Sequence, residues 1–493
     1  MSDAVPGVCP VALTCPDCRT ETAFEPCGTQ PLPGGVFGVL HFACRSHPVL
    51  DSIPVLRSGR VDVQDHMTGR AEVVGPKVEQ LVELVRADRG LDALVELLSF
   101  PPAIPFGLEA RPGVRLPFTW GPVPRLARAA RRGEVAGMLA KLDGLTAQDW
   151  MELCYLRSSG RFSPELFPYF FARFGQPRHL SSLSLLEVLP VEKRPVLDLA
   201  CGFGHIMYNL GARARPVRSV GVDRNFFQLW VGRRYVAPGQ SFVCADRVDS
   251  LPFATDTFSA SVCTDAFHLF EGQQAAMDEL RRTAVNDTVV LDQVGNRLLA
   301  PRDTDAERDP QGYTDLVRGA PVRLTCEDDL FAGYRLGQGP QLAEARKPSE
   351  FDEHKWLSLV SSTDTGLFCD HGAFGRWPHG EGDRRINSIY RVEHDEDGSV
   401  RLVFAFPSTW YAFENAMMSS YTSAGERLDP ATFEALAEGR PVPDTDFFVR
   451  RFVVLAMPPR YQRTPGTPPP ASPGEGLARG ARERIARSIS RPR

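Results

Sequence analysis

The sequence predicts an α/β protein built on an open, mainly parallel sheet, and three features carry that prediction. The first is Val196-Leu-Asp-Leu-Ala-Cys-Gly-Phe-Gly204, an aliphatic run that ends in an acid and then in a glycine-bearing turn. Such a run reads as a strand buried on both faces. The turn reads as a ligand loop, because glycine lacks the Cβ that would keep a bound molecule away from the backbone. The second feature is a series of further short apolar runs, each closing on polar residues. They are Val217 to Val222 before Asp223, Ser241 to Ala245 before Asp246, Phe258 to Cys263 before Thr264, and Thr288 to Asp292. In a parallel sheet these polar ends share one rim, the carboxyl rim at which open α/β sheets bind ligands. The third is the interval of 25 residues from Asp198 to Asp223, close to the spacing that places an acid on ribose hydroxyls. A dinucleotide loop is disfavoured, since the acid precedes the glycines and the Gly-x-Gly-x-x-Gly spacing is absent.

With these residues in hand, the segment from about 190 to 300 resembles the class I S-adenosylmethionine-dependent methyltransferases, whose first motif is an acid followed by spaced glycines. The resemblance implies a Rossmann-like class I methyltransferase sheet, parallel with an antiparallel edge. It implies that Asp198 and the loop of Ala200, Gly202 and Gly204 hold the methionine part of S-adenosyl-L-methionine. Asp223 would meet both ribose hydroxyls and Asp246 the adenine amino group; Arg247 joins the cofactor side, and Asp265 frames the cofactor or orients the substrate. The run Leu251-Pro-Phe253, with Asp256 and Phe258, is similar to the segment that leads into the fourth strand of this class. Ala200 departs from the family, which usually has glycine there.

The N-terminal cysteines are spaced for a metal. Five of the eleven cysteines precede residue 45; Cys15-Pro-Asp-Cys18 forms one knuckle and Cys44-Arg-Ser-His47 a second. Two such turns bring four ligands, Cys15, Cys18, Cys44 and His47, round a structural Zn²⁺. Cys9 and Cys27 stand as alternative ligands, and a metal-free fold with buried thiols is the other reading. A segment of about 60 residues builds little core of its own, so a metal would supply stability. His47-Pro-Val-Leu-Asp-Ser-Ile-Pro is similar to the closing strand of the zinc-ribbon proteins that partner tRNA and release-factor methyltransferases. That resemblance implies a ribbon domain able to bind a protein partner.

The remaining chain divides by composition into a ribbon (1–60), a helical linker or cap (61–190), the cofactor-binding core (191–300), a C-terminal α+β substrate-side extension (301–460) and a tail (461–493). Val78 to Leu98 and Leu126 to Leu142 show helical spacing, with Pro101, Pro102 and Pro105 between them. After the core, a hairpin of Asn387 to His394 and Val400 to Phe406 turns through Asp397-Gly398, and Phe447 to Ala456 reads as a strand. One of these is expected to supply the antiparallel edge. Trp410 to Asn415 suits a pocket lining or half-buried core. The tail is rich in Pro, Gly and Arg and reads as disordered.

Composition excludes several classes. The chain of 493 residues is 43% hydrophobic and 24% charged, with net charge -5. Eight arginines stand against two glutamates from Arg460 onward, so the rest is acidic, unlike a general nucleic-acid binder. No run reaches the ~20 apolar residues of a membrane span, and no basic leader opens the chain, which together point to the cytoplasm.

The chemistry expected is methyl transfer to a nucleophilic atom of a small molecule. His268, after the fourth strand, is the candidate general base, with a packing role as the alternative. The Asn/Asp-Pro-Pro-Tyr motif of amino-directed enzymes is absent. An RNA or translation-protein acceptor stays open within the same class, and a non-catalytic adaptor is the competing class.

Overall fold

The structure is a computed structural model that describes residues 5–28, 30–61, 63–64, 72–73, 75–99, 123–157, 163–190, 194–299 and 306–464. The prolines expected between two helices, and the tail beyond residue 464, lie outside the described residues. An antiparallel four-stranded sheet opens the chain, with strands β1 (Ala23–Pro26), β2 (Gly38–His41), β3 (Ser46–Leu50) and β4 (Ile53–Pro54) in sequence order. Helices α1 (Val78–Arg86), α2 (Gly90–Leu98), α3 (Val123–Leu139), α4 (Ala147–Tyr155), α5 (Ser163–Phe171) and α6 (Pro177–Leu186) follow. The periodic stretch from Val78 to Leu98 is two helices, not one. Asp88, at φ 61°, breaks it with a left-handed residue.

The central sheet has seven strands. β5 (Val196–Leu199), β6 (Ser219–Asp223), β7 (Ser241–Cys244), β8 (Ala260–Thr264), β9 (Val289–Gly295), β10 (Val322–Cys326) and β11 (Trp356–Ser361) lie in the order β10-β11-β9-β8-β5-β6-β7. The five strands read from the sequence are parallel to one another, β5 pairing with β6 and β8, β6 with β7, and β8 with β9. Their side chains are buried almost throughout, as aliphatic runs covered on both faces require. Helices α7 (His205–Ala212), α8 (Phe226–Val231) and α9 (Gln273–Thr283) make the crossovers, and α6 packs on β9.

The antiparallel edge is the main correction to the sequence reading. It comes from β11, which pairs antiparallel with both β9 and β10, and not from the hairpin or the late strand. Trp356-Leu-Ser-Leu-Val-Ser hides as a strand because two of its inward residues are serines. Ser358 and Ser361 are fully buried, and Ser358 donates to the buried carboxylate of Asp292 at 2.6 Å. A β-bulge in β9 between Leu291 and Val294, with Gln293 at φ 55°, interrupts the register just beyond that acid. The predicted hairpin does form, as β12 (Tyr390–His394) and β13 (Val400–Phe404), but β14 (Gly425–Leu428) completes it into a separate three-stranded sheet. Phe447 to Ala456 splits into a helix, Thr445–Arg450, and a short strand, Val454–Ala456, because Thr445, Phe448 and Val449 are buried at helical spacing while Phe447 stays exposed.

The N-terminal sheet is bolted to the open edge of the central one. Val55 bridges Cys244 in parallel register, and Leu56 donates its N–H to the Cys244 carbonyl at 2.7 Å. These bonds satisfy backbone groups that edge strand β7 would otherwise expose. The β3–β4 hairpin turns through Asp51 and Ser52, both left-handed (φ 53° and 64°), the geometry of a two-residue type I′ turn. Asp51 is fully buried. It accepts from Trp230 Nε1 at 2.7 Å and Arg234 Nε at 2.6 Å, and it pairs with Arg233 at 3.4 Å. Both arginines sit on the π-helical turn Gly232–Val236 that continues α8. Replacing Asp51 with Ala strands two guanidiniums and an indole N–H, so Asp51→Ala is expected to cost about 3–5 kcal/mol. Urea unfolding followed by tryptophan fluorescence measures this, and a loss below about 1 kcal/mol contradicts the anchoring role.

Candidate active site

The carboxyl ends of β5, β6 and β7 bring three acids to one rim. Asp198, the third residue of β5, is buried, and its Oδ2 has no hydrogen-bond partner among the described residues. Burial, reinforced by the charge of Asp223, pushes its pKa up to about 8. The loop after it is left-handed at Ala200 (φ 60°), Gly202 (φ 54°) and Gly204 (φ 77°). The glycine missing from the family pattern is thus missing at a position that uses glycine's backbone, at a cost on the order of 1 kcal/mol. The N–H groups of Ala200 and Cys201 both reach the Val222 carbonyl, at 2.7 and 3.2 Å, which holds the loop against β6. A Cβ on Gly204 would lie 2.9 Å from the Phe242 ring, so this glycine also fixes how closely the loop packs on β7.

Asp223, the last residue of β6, braces the same loop. Its Oδ2 accepts from Gly202 N–H at 3.0 Å and its Oδ1 from Asn225 N–H at 2.8 Å. Asp198, Ala200, Gly202, Gly204 and Asp223 therefore form one connected site. Asp246 stands beyond β7 and is paired with Arg57, whose Nε lies 3.2 Å from Oδ2 and whose guanidinium also donates to the Arg224 carbonyl. Arg57 comes from the end of the N-terminal unit and was missed by the motif search, since nothing local marks it. Arg247 is turned away from the rim, to Asp249 at 3.1 Å and to Asp17 of the first cysteine knuckle at 3.2 Å.

The rim beyond β8 holds a second polar centre. Asp265 (φ 56°) is largely buried, with 11% of its side chain exposed, and accepts from the Tyr169 hydroxyl, from Arg173 at 3.0 Å and from Arg178 at 3.4 Å. Burial alone would raise its pKa, but the two guanidiniums prevail and hold it down to about 2. Arg178 continues to Glu414 at 3.2 Å and lies over the rings of Trp356 and Tyr169, at 5.1 and 5.6 Å. Trp410 packs on Tyr169 at 5.8 Å. The aromatic run Trp410 to Asn415 is thus divided. Trp410 and Glu414 join this centre, whereas Tyr411 and Asn415 are core, bonded to the Ala172 and Tyr411 carbonyls. His268 is buried on the short turn Phe267–Leu269, edge-on to Trp356 at 5.7 Å.

Near the N-terminus, Cys15, Cys18 and Cys44 place their sulfurs within 4.8 Å of one another. The N–H groups of Asp17 and Cys18 point at Cys15 Sγ, at 3.4 and 3.5 Å, as in a knuckle wrapped round a thiolate. His47 is not among them. It is buried with Nδ1 on the Val55 carbonyl at 3.0 Å, which makes it part of the β3–β4 hairpin rather than of the thiol cluster.

Residues 196–286 match the family model described as a methyltransferase domain. No curated protein matches the chain. Among solved structures, one chain of the complex between the Haloferax volcanii Trm112 methyltransferase activator and a methyltransferase is 18% identical, with 40% of this chain and 96% of that one covered at a TM-score of 0.31. The plantazolicin methyltransferase, solved with a triazolic desmethylPZN analogue and S-adenosylhomocysteine, is 12% identical over 44% of this chain and 96% of that one, at 0.32. An S-adenosylmethionine-dependent methyltransferase from Thermotoga maritima is 13% identical over 44% and 100%, at 0.28.

The Asp265 centre makes a stability prediction. Asp265→Asn leaves Arg173 and Arg178 short of a buried counter-charge, with an expected loss of about 3–5 kcal/mol in urea unfolding at pH 7. Because the folded-state pKa is depressed, the wild-type advantage is complete above the ordinary carboxylate range near pH 4 and fades as pH falls toward 2. An unchanged midpoint at pH 7 refutes the assignment.

Proposed function

We propose that this protein transfers a methyl group from S-adenosyl-L-methionine to a nucleophilic atom of a small molecule. The observation that carries the reading is the connected loop and acid pair, Asp198 and Asp223 at adjacent strand ends with left-handed Ala200, Gly202 and Gly204 between them. The residues fit the cofactor. A buried carboxyl whose Oδ2 is unpartnered among the described residues suits a cationic amino group. Asp223 offers two oxygens that already accept from N–H groups, as a diol would require. When bound, S-adenosylmethionine supplies a methyl group made electrophilic by its sulfonium. The protein's own contribution is to hold and orient the partners and to exclude water.

In this reading Asp198 and the loop hold the methionine part, Asp223 the ribose and Asp246 the adenine side, with Arg57 fixing the Asp246 carboxylate. His268 faces the acceptor and takes its proton where the nucleophile carries one. Asp265 acts on the acceptor side through Tyr169, Arg173 and Arg178. The three thiols suit Zn²⁺ as soft ligands, and the metal would brace the N-terminal unit rather than the chemistry. An acidic body favours a small acceptor over RNA. Among the described residues no helix is long and apolar enough to cross a membrane.

Calorimetry with S-adenosylhomocysteine tests the reading. With a pKa of about 8 in the free protein, Asp198 is mostly protonated at pH 7 and must ionise to meet an ammonium. Binding at pH 7 is therefore expected to release about one proton, so the heat differs between phosphate and Tris buffers, and affinity rises with pH up to about 8. Asp198→Asn removes the buffer dependence. Asp223→Ala weakens binding by about 10- to 100-fold, the worth of charge-assisted hydrogen bonds. No heat in folded, metal-replete protein leaves the adaptor reading in possession.

Elemental analysis after gentle purification is expected to find about one zinc per chain, lost in a Cys18→Ser/Cys44→Ser double variant. Less than about half an equivalent in wild type indicates the metal-free fold.

A further inference from the structure

Helix α10 (Glu327–Arg335) follows β10 and packs on α6. Three acids fill its first turn, as a helix N-terminus favours. Two of them are accounted for at the surface. Asp328 pairs with His354 at 2.9 Å and Asp329 with Arg346 at 2.6 Å. Glu327 turns inward instead, and its Oε2 is buried with no hydrogen-bond partner among the described residues. Helix-terminus electrostatics explains an exposed acid, but not a desolvated oxygen to which nothing among the described residues donates.

The charge balance around it is uneven. Arg173 and Arg178 are matched by Asp265 and Glu414 in the buried network. Asp292 is held by the hydroxyls of Ser182 and Ser358. Glu327 feels the attraction of Arg178, already committed to those two acids, and the repulsion of Asp292, Asp328 and Asp265. Burial is the larger effect, and together they push its pKa up to about 7. A buried carboxylate without a counter-charge is costly, and a site that keeps one is short of a cation. The surrounding surface suits the rest of such a ligand. Trp356 lies under Arg178, and Trp410 packs on Tyr169 at a tilt of 51°, all three rings being partly exposed.

We infer that Glu327 is the acceptor-binding carboxylate, a subsite for the protonated amine of a substrate whose apolar or aromatic body lies along Trp356, Tyr169 and Trp410. The inference rests on the methyl-transfer reading for the word acceptor, but the binding site itself does not. It names a substrate class, an amine with an aromatic or apolar body, and gives Glu327 a positioning role.

The test uses the full chain at pH 7.5 and three probes of one shape, 2-phenylethylamine, 2-phenylethanol and phenylacetate, titrated by calorimetry with and without S-adenosylhomocysteine. The amine is expected to bind at least tenfold more tightly than the alcohol, and phenylacetate more weakly than either. Glu327→Gln brings the amine down to the alcohol's affinity, and Glu327→Asp restores part of the difference. An amine that binds no better than the alcohol, or selectivity that survives Glu327→Gln, overturns the subsite. Stability supplies a second readout. Because the folded-state pKa is raised, the wild-type fold loses stability as pH climbs from the ordinary carboxylate range to about 7 and stays weakened above it, so Glu327→Gln should melt higher than wild type at pH 8 and level with it at pH 4. A lower melting temperature at pH 8 reveals a structural partner and also overturns the proposal. Binding of S-adenosylhomocysteine without amine selectivity sinks the subsite alone. Amine selectivity without S-adenosylhomocysteine binding sinks the methyl-transfer reading alone.

Discussion

An open parallel sheet has to cover its edge, and the way this chain does so arranges much of the molecule. Strand β7 borders the sheet, and its backbone is capped by Val55 and Leu56 from the N-terminal unit. That docking brings Asp51 to the π turn after α8, Arg57 to Asp246, and the first cysteine knuckle to Arg247. The N-terminal unit is therefore continuous with the rim that carries Asp223 and Asp246. Its closing strand satisfies the sheet, and the next residue along fixes a site carboxylate. An edge left bare would invite pairing with other chains.

The second organising principle is the handling of buried carboxylates. Asp51 and Asp265 are met by arginines, and Asp292 by serines. Asp198 and Glu327 each keep an oxygen that is buried and unmatched among the described residues. Glu165 keeps such an oxygen as well, so an unmatched oxygen does not by itself separate site acids from structural ones.

The strands that carry the cofactor loop were legible because parallel strands buried on both faces are written as aliphatic runs, and acids at their ends stand out. Val196 to Gly204, Asp223 and Asp246 needed no tertiary information to be placed on one rim. The thiol cluster was legible in the same way from Cys15, Cys18 and Cys44. His47 was misassigned because the spacing of a knuckle does not say which way a ring points; the Val55 carbonyl decided that. Strand β11 was invisible, since it buries serines, and one of them, Ser358, answers to Asp292, a residue far away in sequence. The late segment Phe447 to Ala456 misled for the opposite reason, its aromatic and β-branched residues reading as strand while burial selects one face of a helix.

By itself the sequence determined the parallel core, the left-handed loop and the acids beside it, because those depend on local periodicity and on what glycine permits. Tertiary structure alone decided the partners of the acids. Whether a carboxylate is matched by Arg57, by Arg173 and Arg178, by a serine or by nothing depends on which elements fold against it, and that information is spread over residues hundreds of positions apart.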